Sequence, residues 1–520
     1  MTKRYIWIDP AAEMRWLWIP FGCEMYKRFG ATPLLLCRTE KDREYYMSQV
    51  PDGAPFEAVV LPDRYSMAMT GNGLPDIDGA LSILKKFEKE SGYCFMRDVA
   101  LPDRQFSRTY VFGADKVAKS KSTARANHET VWRVGARIVE SAQELFERYP
   151  PILFVSLTGG TGMASRPFIA ILKRHGVPVR NMIHTRFGFR YYWSEDEVHN
   201  SQRLNNLIAA EPLPDDETVN RVLQQLRPTG DFEYYVTKMR KQRRLDRLAY
   251  LVLQNMYKHL RYRLGRSRKA KIGYYMLGEI GMIVNGRTQA KYLTGPDCPR
   301  LADLDDRYRY VFFPLQVEPE ISLHGLAPEY FDQINTIAQI SFNLPADAKL
   351  VVKEHPAQIG RRGTAFYKKI QSFPNVILIS ELEHSYPVMR SCDLVLSVTS
   401  SVAHEAAVMG KKVVYLFGNG PLSMLPHVKG LPKNQGFRAL TDLLDDANWP
   451  SEADRVREGV RYYVGLERNA SLDFASMGTD MFNRSRVSRP EEIETITDSL
   501  VVSLDAGFGA DARQKDVSAA

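Results

Sequence analysis

Two short runs of the chain combine residue types suited to binding an activated phosphoester. One is Lys353-Glu354-His355-Pro356, followed by Arg361 and Arg362; the other is Thr399-Ser400-Ser401-Val402-Ala403-His404-Glu405. Each directly follows an apolar run that reads as a strand, Lys349 to Lys353 and Leu394 to Val398. In an open parallel sheet, ligands sit beyond the carboxyl ends of the strands, so both runs fall on one functional edge. Thr399, Ser400 and Ser401 open a helix whose unpaired N–H groups and dipole attract phosphate. Glu405 lies about one turn further on, where a carboxylate can accept two hydrogen bonds from a ribose diol. A helix cap is the competing use. With Ser401 as N-cap the capping-box position is His404, which leaves Glu405 one residue out of place and favours a ligand role. His355 could donate to a phosphate or a cytosine-type base, with Pro356 fixing the turn that presents it. A lone His-Pro says little; sharing a sheet edge with Glu405 is what gives it weight. Lys353 and Arg361 are candidate cations for the phosphate.

Other segments offer weaker chemistry. The strand Tyr310 to Pro314 runs into Leu315-Gln316-Val317-Glu318-Pro319-Glu320, so Gln316 and the carboxylates could meet a sugar or diphosphate, with Glu320 a candidate base. Thr158-Gly159-Gly160-Thr161-Gly162 follows the strand Ile152 to Leu157 and lets backbone approach a ligand, but it has no P-loop lysine and no dinucleotide spacing. His184, Arg186 and Arg190 follow the next strand; His184 is a second candidate base and Arg186 a candidate for an anion. Asp76-Ile77-Asp78 and Asp303-Leu304-Asp305 have the D-x-D spacing of divalent-metal ligands, a triplet that chance often supplies in loops, and no metal is expected.

The elements that must carry these residues are strands and helices in alternation, the pattern of a parallel α/β sheet. Beyond the strands already named, Val376 to Ile379 and Val413 to Leu416 alternate with helical stretches at Tyr330 to Phe342, Tyr386 to Arg390 and Val402 to Met409. In the first half, Ile6 to Ile8, Pro33 to Cys37 and Ala58 to Leu61 read as strands, and Val131 to Tyr149 as a helix stopped by Pro150-Pro151. A chain of 520 residues with 44% hydrophobic and 25% charged content holds more than one core. The divisions expected are 1–227, a basic helical connection 228–300, a nucleotide-binding type of domain 301–445, helices 446–505 and a fraying tail 506–520. The connection carries an apolar stripe (Leu245, Leu248, Leu251, Val252, Met256) among many Lys and Arg. That pattern is either a solvated face packed on its own protein or a helix lying on an anionic membrane.

Five scattered cysteines without a C-x-x-C pair argue against a disulfide framework and against structural zinc. A net charge of +9 favours anionic partners without choosing among them. No bilayer-length apolar run and no secretory h-region are found, so a cytoplasmic protein, peripheral at most to the inner face of the membrane, is expected.

Phe312 to Ala338, Leu344 to Pro356 and Ser397 to Gly418 together carry P-L-Q, K-E-H-P and S-S-x-x-x-E-A with G-K-x-V. In that order they resemble the capsule polysaccharide biosynthesis glycosyltransferases, the bacterial group that includes the Kdo transferases. The resemblance is good over Tyr310 to Gly418 and only architectural over the first 230 residues. It implies a GT-B fold, two Rossmann-like domains facing across a cleft, with acceptor on the N-terminal domain and nucleotide sugar on the C-terminal one. It implies donor contacts from His355-Pro356, often to CMP, and from Ser400, Ser401 and Glu405 to phosphate and ribose, with no cofactor and no metal. The implied activity moves a sugar from a nucleotide-activated donor to a growing surface glycan or lipid-linked acceptor. Separately, the basic segment allows for a peripheral membrane or capsule-assembly partner, and no nucleic acid is expected. Where many relatives carry Gly-Thr, this chain has Ser400-Ser401. A nucleotide-sugar 2-epimerase, a CDP-glycerol-type polymer phosphotransferase and a non-catalytic assembly scaffold are the alternatives on the same fold.

Overall fold

A computed structural model describes residues 3–11, 14–107, 127–156, 162–226, 245–264, 276–470, 472–473 and 486–505. The glycine turn at 158–161, the tail 506–520 and much of the basic connection lie outside them.

Two sheets organise the chain. The first contains β1 (Tyr5–Asp9), β2 (Thr32–Cys37), β3 (Glu57–Val60), β4 (Pro151–Ser156), β5 (Val179–His184), β6 (Arg190–Ser194) and β13 (Leu472–Asp473). The second contains β7 (Arg309–Pro314), β8 (Ala348–Lys353), β9 (Val376–Leu378), β10 (Leu394–Ser397), β11 (Lys412–Tyr415) and β12 (Val428–Lys429). In space the first runs β3-β2-β1-β4-β5-β6-β13 and the second β9-β8-β7-β10-β11-β12. Both start in the middle, wind outward one way, then cross to the other side, which is the doubly wound order. The strands are continuous apolar runs because helices cover both faces: Val311, Phe312, Phe313, Leu350, Val351, Val352, Leu394, Val395 and Leu396 are all fully buried.

Two features depart from a simple alternation. β5 and β6 pair antiparallel, Asn181 with Ser194 through His184 with Tyr191, because residues 185–189 are too few for a parallel crossover. The C-terminal segment also returns to the first sheet. β13 pairs antiparallel with β6, and Ile493, Ile496, Leu500 and Leu504 of the helix Pro490–Asp505 join the core of Ile6, Ile8, Trp18 and Phe21. The region after 446 therefore contributes a strand as well as helices.

The helix Glu452–Asn469 ties the halves together, packing on Gln202–Ala210 and on Ser401–Val408. A Cβ at Gly459 would sit 2.1 Å from the Ala407 carbonyl oxygen, so only glycine permits this approach. Arg190 is held by Glu467 at 3.2 Å and Asp473 at 3.3 Å. It is a tether for the returning segment and not an anion ligand.

Candidate functional site

The carboxyl ends of β7, β8, β9 and the helix after β10 surround a cavity of about 200 Å³. It is lined by Pro314 and Leu315, Lys353 to Pro356, Glu381 and Glu383 to Ser385, and Ser400 to Val402 with Glu405. Because β7 has β8 on one side and β10 on the other, this is the switch point of the second sheet, where a doubly wound fold opens a crevice. His355 and Glu405, fifty residues apart in sequence, thus face one cavity.

Ser400 is the N-cap of the helix Ser401–Val408, its hydroxyl accepting from the Val402 N–H at 3.2 Å. The cap therefore falls one residue earlier than expected, and the third helical position is Ala403, so no capping box involves His404 or Glu405. The Glu405 side chain has no ion-pair or hydrogen-bond partner among the described residues, and burial alone pushes its carboxyl up to about 7. A carboxyl raised by burial and facing a cavity makes Glu405 a candidate ligand-binding group.

His355 lines the same cavity. Its Nδ1 accepts from the Ala357 N–H at 3.1 Å, which puts the proton of the neutral ring on Nε2. Protein packed around the ring holds it below the usual imidazole range, against the pull of Glu354 and Glu320, although its outer edge is exposed. It offers a neutral donor.

Behind the cavity lies a buried polar frame. Arg362 is fully buried and spans Glu354 at 2.6 Å and Glu318 at 2.7 Å, while its Nη2 also donates to the Gln316 carbonyl at 2.6 Å. Tyr367 donates to Glu354 at 2.8 Å. Burial disfavours the guanidinium, but the two carboxylates outweigh it and raise its proton affinity. Glu354 in turn accepts from the His355 N–H at 2.6 Å. The arginine that matters is thus Arg362, as a strut. Arg361, the phosphate candidate, does not line the cavity.

Two further candidates have different duties. Lys353 lines the cavity, yet its Nζ is buried in an ion pair with Glu381 at 2.8 Å, so its charge is already compensated. Gln316 is buried and lines no cavity described here: its N–H donates to Gln333 at 2.6 Å and its Oε1 accepts from Thr399 Oγ1 at 3.3 Å. It braces the ends of β7 and β10 against each other.

A second, narrow cavity lies between the sheets. His184, Arg186, Tyr192 and His199 line it from the first half, and Thr399, His404, Tyr415, Phe417 and Tyr462 from the second. Arg186 (φ 76°) and His199 (φ 66°) are the two residues other than glycine with positive φ among those described. His184 has both ring nitrogens engaged, Nε2 with the Gly188 carbonyl at 2.7 Å and Nδ1 with the Arg186 N–H at 3.1 Å. It shapes the turn and holds no spare lone pair for a proton in this conformation. Burial, assisted by the Arg186 charge, pushes His199 and His404 down to about 3, so both stay neutral. No carboxylate among the described residues lies within ion-pair distance of Arg186.

Glu320 lines neither cavity. It sits where the halves touch, 3.4 Å from Arg104 and accepting from Ser322 at 3.0 Å. The D-x-D triplets serve local structure: Asp76 caps the helix Ile77–Ser91 through the Gly79 N–H at 2.7 Å, Asp303 accepts from the Arg300 N–H at 2.7 Å, and Asp305 pairs with Arg307. Sequence reasoning missed Glu381, Glu383, His384 and Ser385. The polar run directly after the strand Val376–Leu378 was the available signal, by the same edge rule that found His355. For His199 no sequence signal exists.

Two doubly wound sheets with a ligand-sized crevice at the switch point of the second define a two-domain α/β protein of the nucleotide-binding architecture. Residues 208–425 match the family model described as capsule polysaccharide biosynthesis protein, which bears out the resemblance read from Tyr310 to Gly418. No curated protein sequence matches the chain. Among solved structures, the Thermosulfurimonas dismutans KpsC β-Kdo 2,4 transferase is 13% identical, covering 62% of this chain and 85% of that one at a TM-score of 0.29. Anabaena Alr3699/HepE in complex with UDP and glucose is 11% identical, covering 97% and 100% at 0.28. The S. aureus MnaA–UDP co-structure is 11% identical, covering 92% and 97% at 0.27. At such scores these likenesses assign no activity, and the architecture rests on the strand orders above.

Proposed function

We propose that the protein is a glycosyltransferase of surface-polysaccharide assembly that holds a nucleotide-activated sugar in the switch-point cavity of its second sheet. The observation carrying this reading is that the Glu405 carboxyl, raised by burial and without a side-chain partner among the described residues, lines one cavity together with His355 and the opening of the helix Ser401–Val408. The Ser401 N–H at the opening of the helix, with the helix dipole behind it, receives the phosphate, Glu405 the ribose diol, and His355 a phosphate oxygen or the base. In sugar transfer the leaving group is a nucleotide phosphate, and negative charge grows there as the glycosidic bond breaks. The Ser401 amide, the helix dipole and a neutral His355 donor meet that charge without calling on a metal. Arg186, on the first half of the chain, is the candidate cation for an anionic glycan or lipid-linked acceptor. Neither candidate base meets the acceptor in this geometry: His184 has both ring nitrogens engaged and Glu320 lines neither cavity, so no general base is assigned.

The test is donor binding and turnover. Purified protein screened against CMP, CDP, UDP and GDP should show one base raising the thermal midpoint, since a ligand that binds the folded state stabilises it by mass action. His355→Ala and Glu405→Ala should lose donor turnover by at least about 100-fold while keeping the fold. Normal turnover in both removes the site assignment, and release of free epimerised nucleotide sugar without acceptor removes the transferase in favour of an epimerase.

A further inference from the structure

The helix Leu245–Arg263 packs on the helix Met276–Leu293, which is itself anchored to the second half through the Gln289 side chain accepting from the Gly360 N–H at 2.7 Å. Its inner side is Leu248, Leu251, Val252, Asn255 and His259, all at least partly buried. The apolar stripe expected from the sequence therefore splits, and Met256 turns outward. The outward side carries Tyr250, Leu253, Met256, Tyr257, Leu260 and Leu264, which are between 53% and 64% exposed. At 3.6 residues per turn these six fall within an arc of roughly 120°, the width of a complete amphipathic face. Exposed Lys258 and Arg261 flank the arc on one side.

An apolar face of this size left in water needs an occupant. The sequence around it says which kind. Lys238 to Lys271 holds thirteen Lys and Arg and a single acid, Asp246. A second copy docked face to face would set these charges against their own kind. A polyanion such as RNA would satisfy the charges but leave the Leu and Met unburied. An anionic lipid surface satisfies both, with apolar residues sinking below the headgroups and basic ones pairing with them. No helix among the described residues is long and apolar enough to cross a membrane.

We infer that the outward face of Leu245–Arg263 is a docking surface for an anionic phospholipid bilayer, on which the helix lies flat. The surface stands apart from both cavities, so the inference does not depend on the proposed activity. Docking there would hold the enzyme at the surface where lipid-linked acceptors reside.

The experiment is flotation of the full chain with vesicles of phosphatidylcholine containing roughly one-third phosphatidylglycerol, against phosphatidylcholine alone. The wild type should bind the anionic vesicles at least about tenfold more tightly, with binding falling as salt rises. Leu253→Ser/Leu260→Ser and Lys258→Glu/Arg261→Glu should each weaken binding about tenfold or more, while circular dichroism and nucleotide affinity stay unchanged. Failure to float, equal binding to neutral vesicles, or wild-type flotation of the serine variant overturns the inference. So does a dimer in sedimentation velocity that the serine variant dissociates, which would give the face to a second copy. Tight RNA binding together with unaltered vesicle binding by the serine variant would overturn it as well.

Discussion

Glu405→Gln tests the site through stability as well as through binding. Burial raises the Glu405 carboxyl from 4.5 to about 7 in the folded protein. Below about pH 4.5 the group is protonated folded or unfolded and contributes nothing. As pH climbs toward 7 the unfolded chain releases this proton first, so ionisation favours unfolding, and the cost is complete above about 7. At about 1.4 kcal/mol for each tenfold change in proton affinity, that cost reaches roughly 3 kcal/mol at most, and 1–3 kcal/mol once the partial solvent contact of the side chain is allowed for. Glutamine carries no charge to desolvate. Urea unfolding of wild type and Glu405→Gln at a series of pH values from 4.5 to 8 should therefore diverge, the variant gaining about 1–3 kcal/mol relative to wild type at the alkaline end. The same carboxylate should accept the ribose diol only when ionised. Nucleotide binding at pH 7 should then release roughly half a proton from the wild type and none from the variant, measured by calorimetry in buffers of different ionisation enthalpy. Parallel stability curves, or equal proton release from both proteins, refute a desolvated, ligand-facing Glu405.

Glu320→Gln should leave kcat and nucleotide affinity within about threefold of wild type, since the side chain lines neither cavity and pairs with Arg104; a loss of kcat of about 100-fold with unchanged affinity would restore it as the general base. Arg362→Ala strands Glu318 and Glu354 in the interior and should cost on the order of 3–5 kcal/mol in urea unfolding, whereas a near-neutral result would mean that water reaches the frame. Gly459→Ala forces the helix Glu452–Asn469 off the Ala407 carbonyl and should cost about 1–3 kcal/mol while weakening nucleotide binding through displacement of Glu405. Turnover should be unchanged by EDTA; loss of rate restored by magnesium or manganese would bring back a metal role for carboxylates assigned here to helix caps.

The second half of the chain was largely readable in advance. Buried parallel strands must be continuous apolar runs, so β7, β8, β9, β10 and β11 announced themselves to within a residue or so. The rule that ligands gather at carboxyl ends then selected the polar residues following them. It could not rank those residues. Lys353 and Gln316 stand on that edge in sequence, yet one is neutralised by Glu381 and the other spent on Gln333 and Thr399. Their partners arrive from strands and helices many residues away, and no local pattern encodes such pairings.

Composition and periodicity alone determined that this is an α/β protein with polar runs at the carboxyl edge of its second sheet and a basic segment ahead of it, because both follow from which residues repeat and where apolar runs stop. Tertiary structure decided which charges are left over. Arg362 and Lys353 find carboxylates in the interior, whereas the Glu405 carboxyl meets no partner among the described residues and faces the cavity. It also decided that β13 and the helix Pro490–Asp505 return to the first sheet, and that the helix Leu245–Arg263 turns its apolar arc outward. Sequence sets each residue's chemistry; whether that chemistry is satisfied depends on what the fold brings within about 3 Å of it.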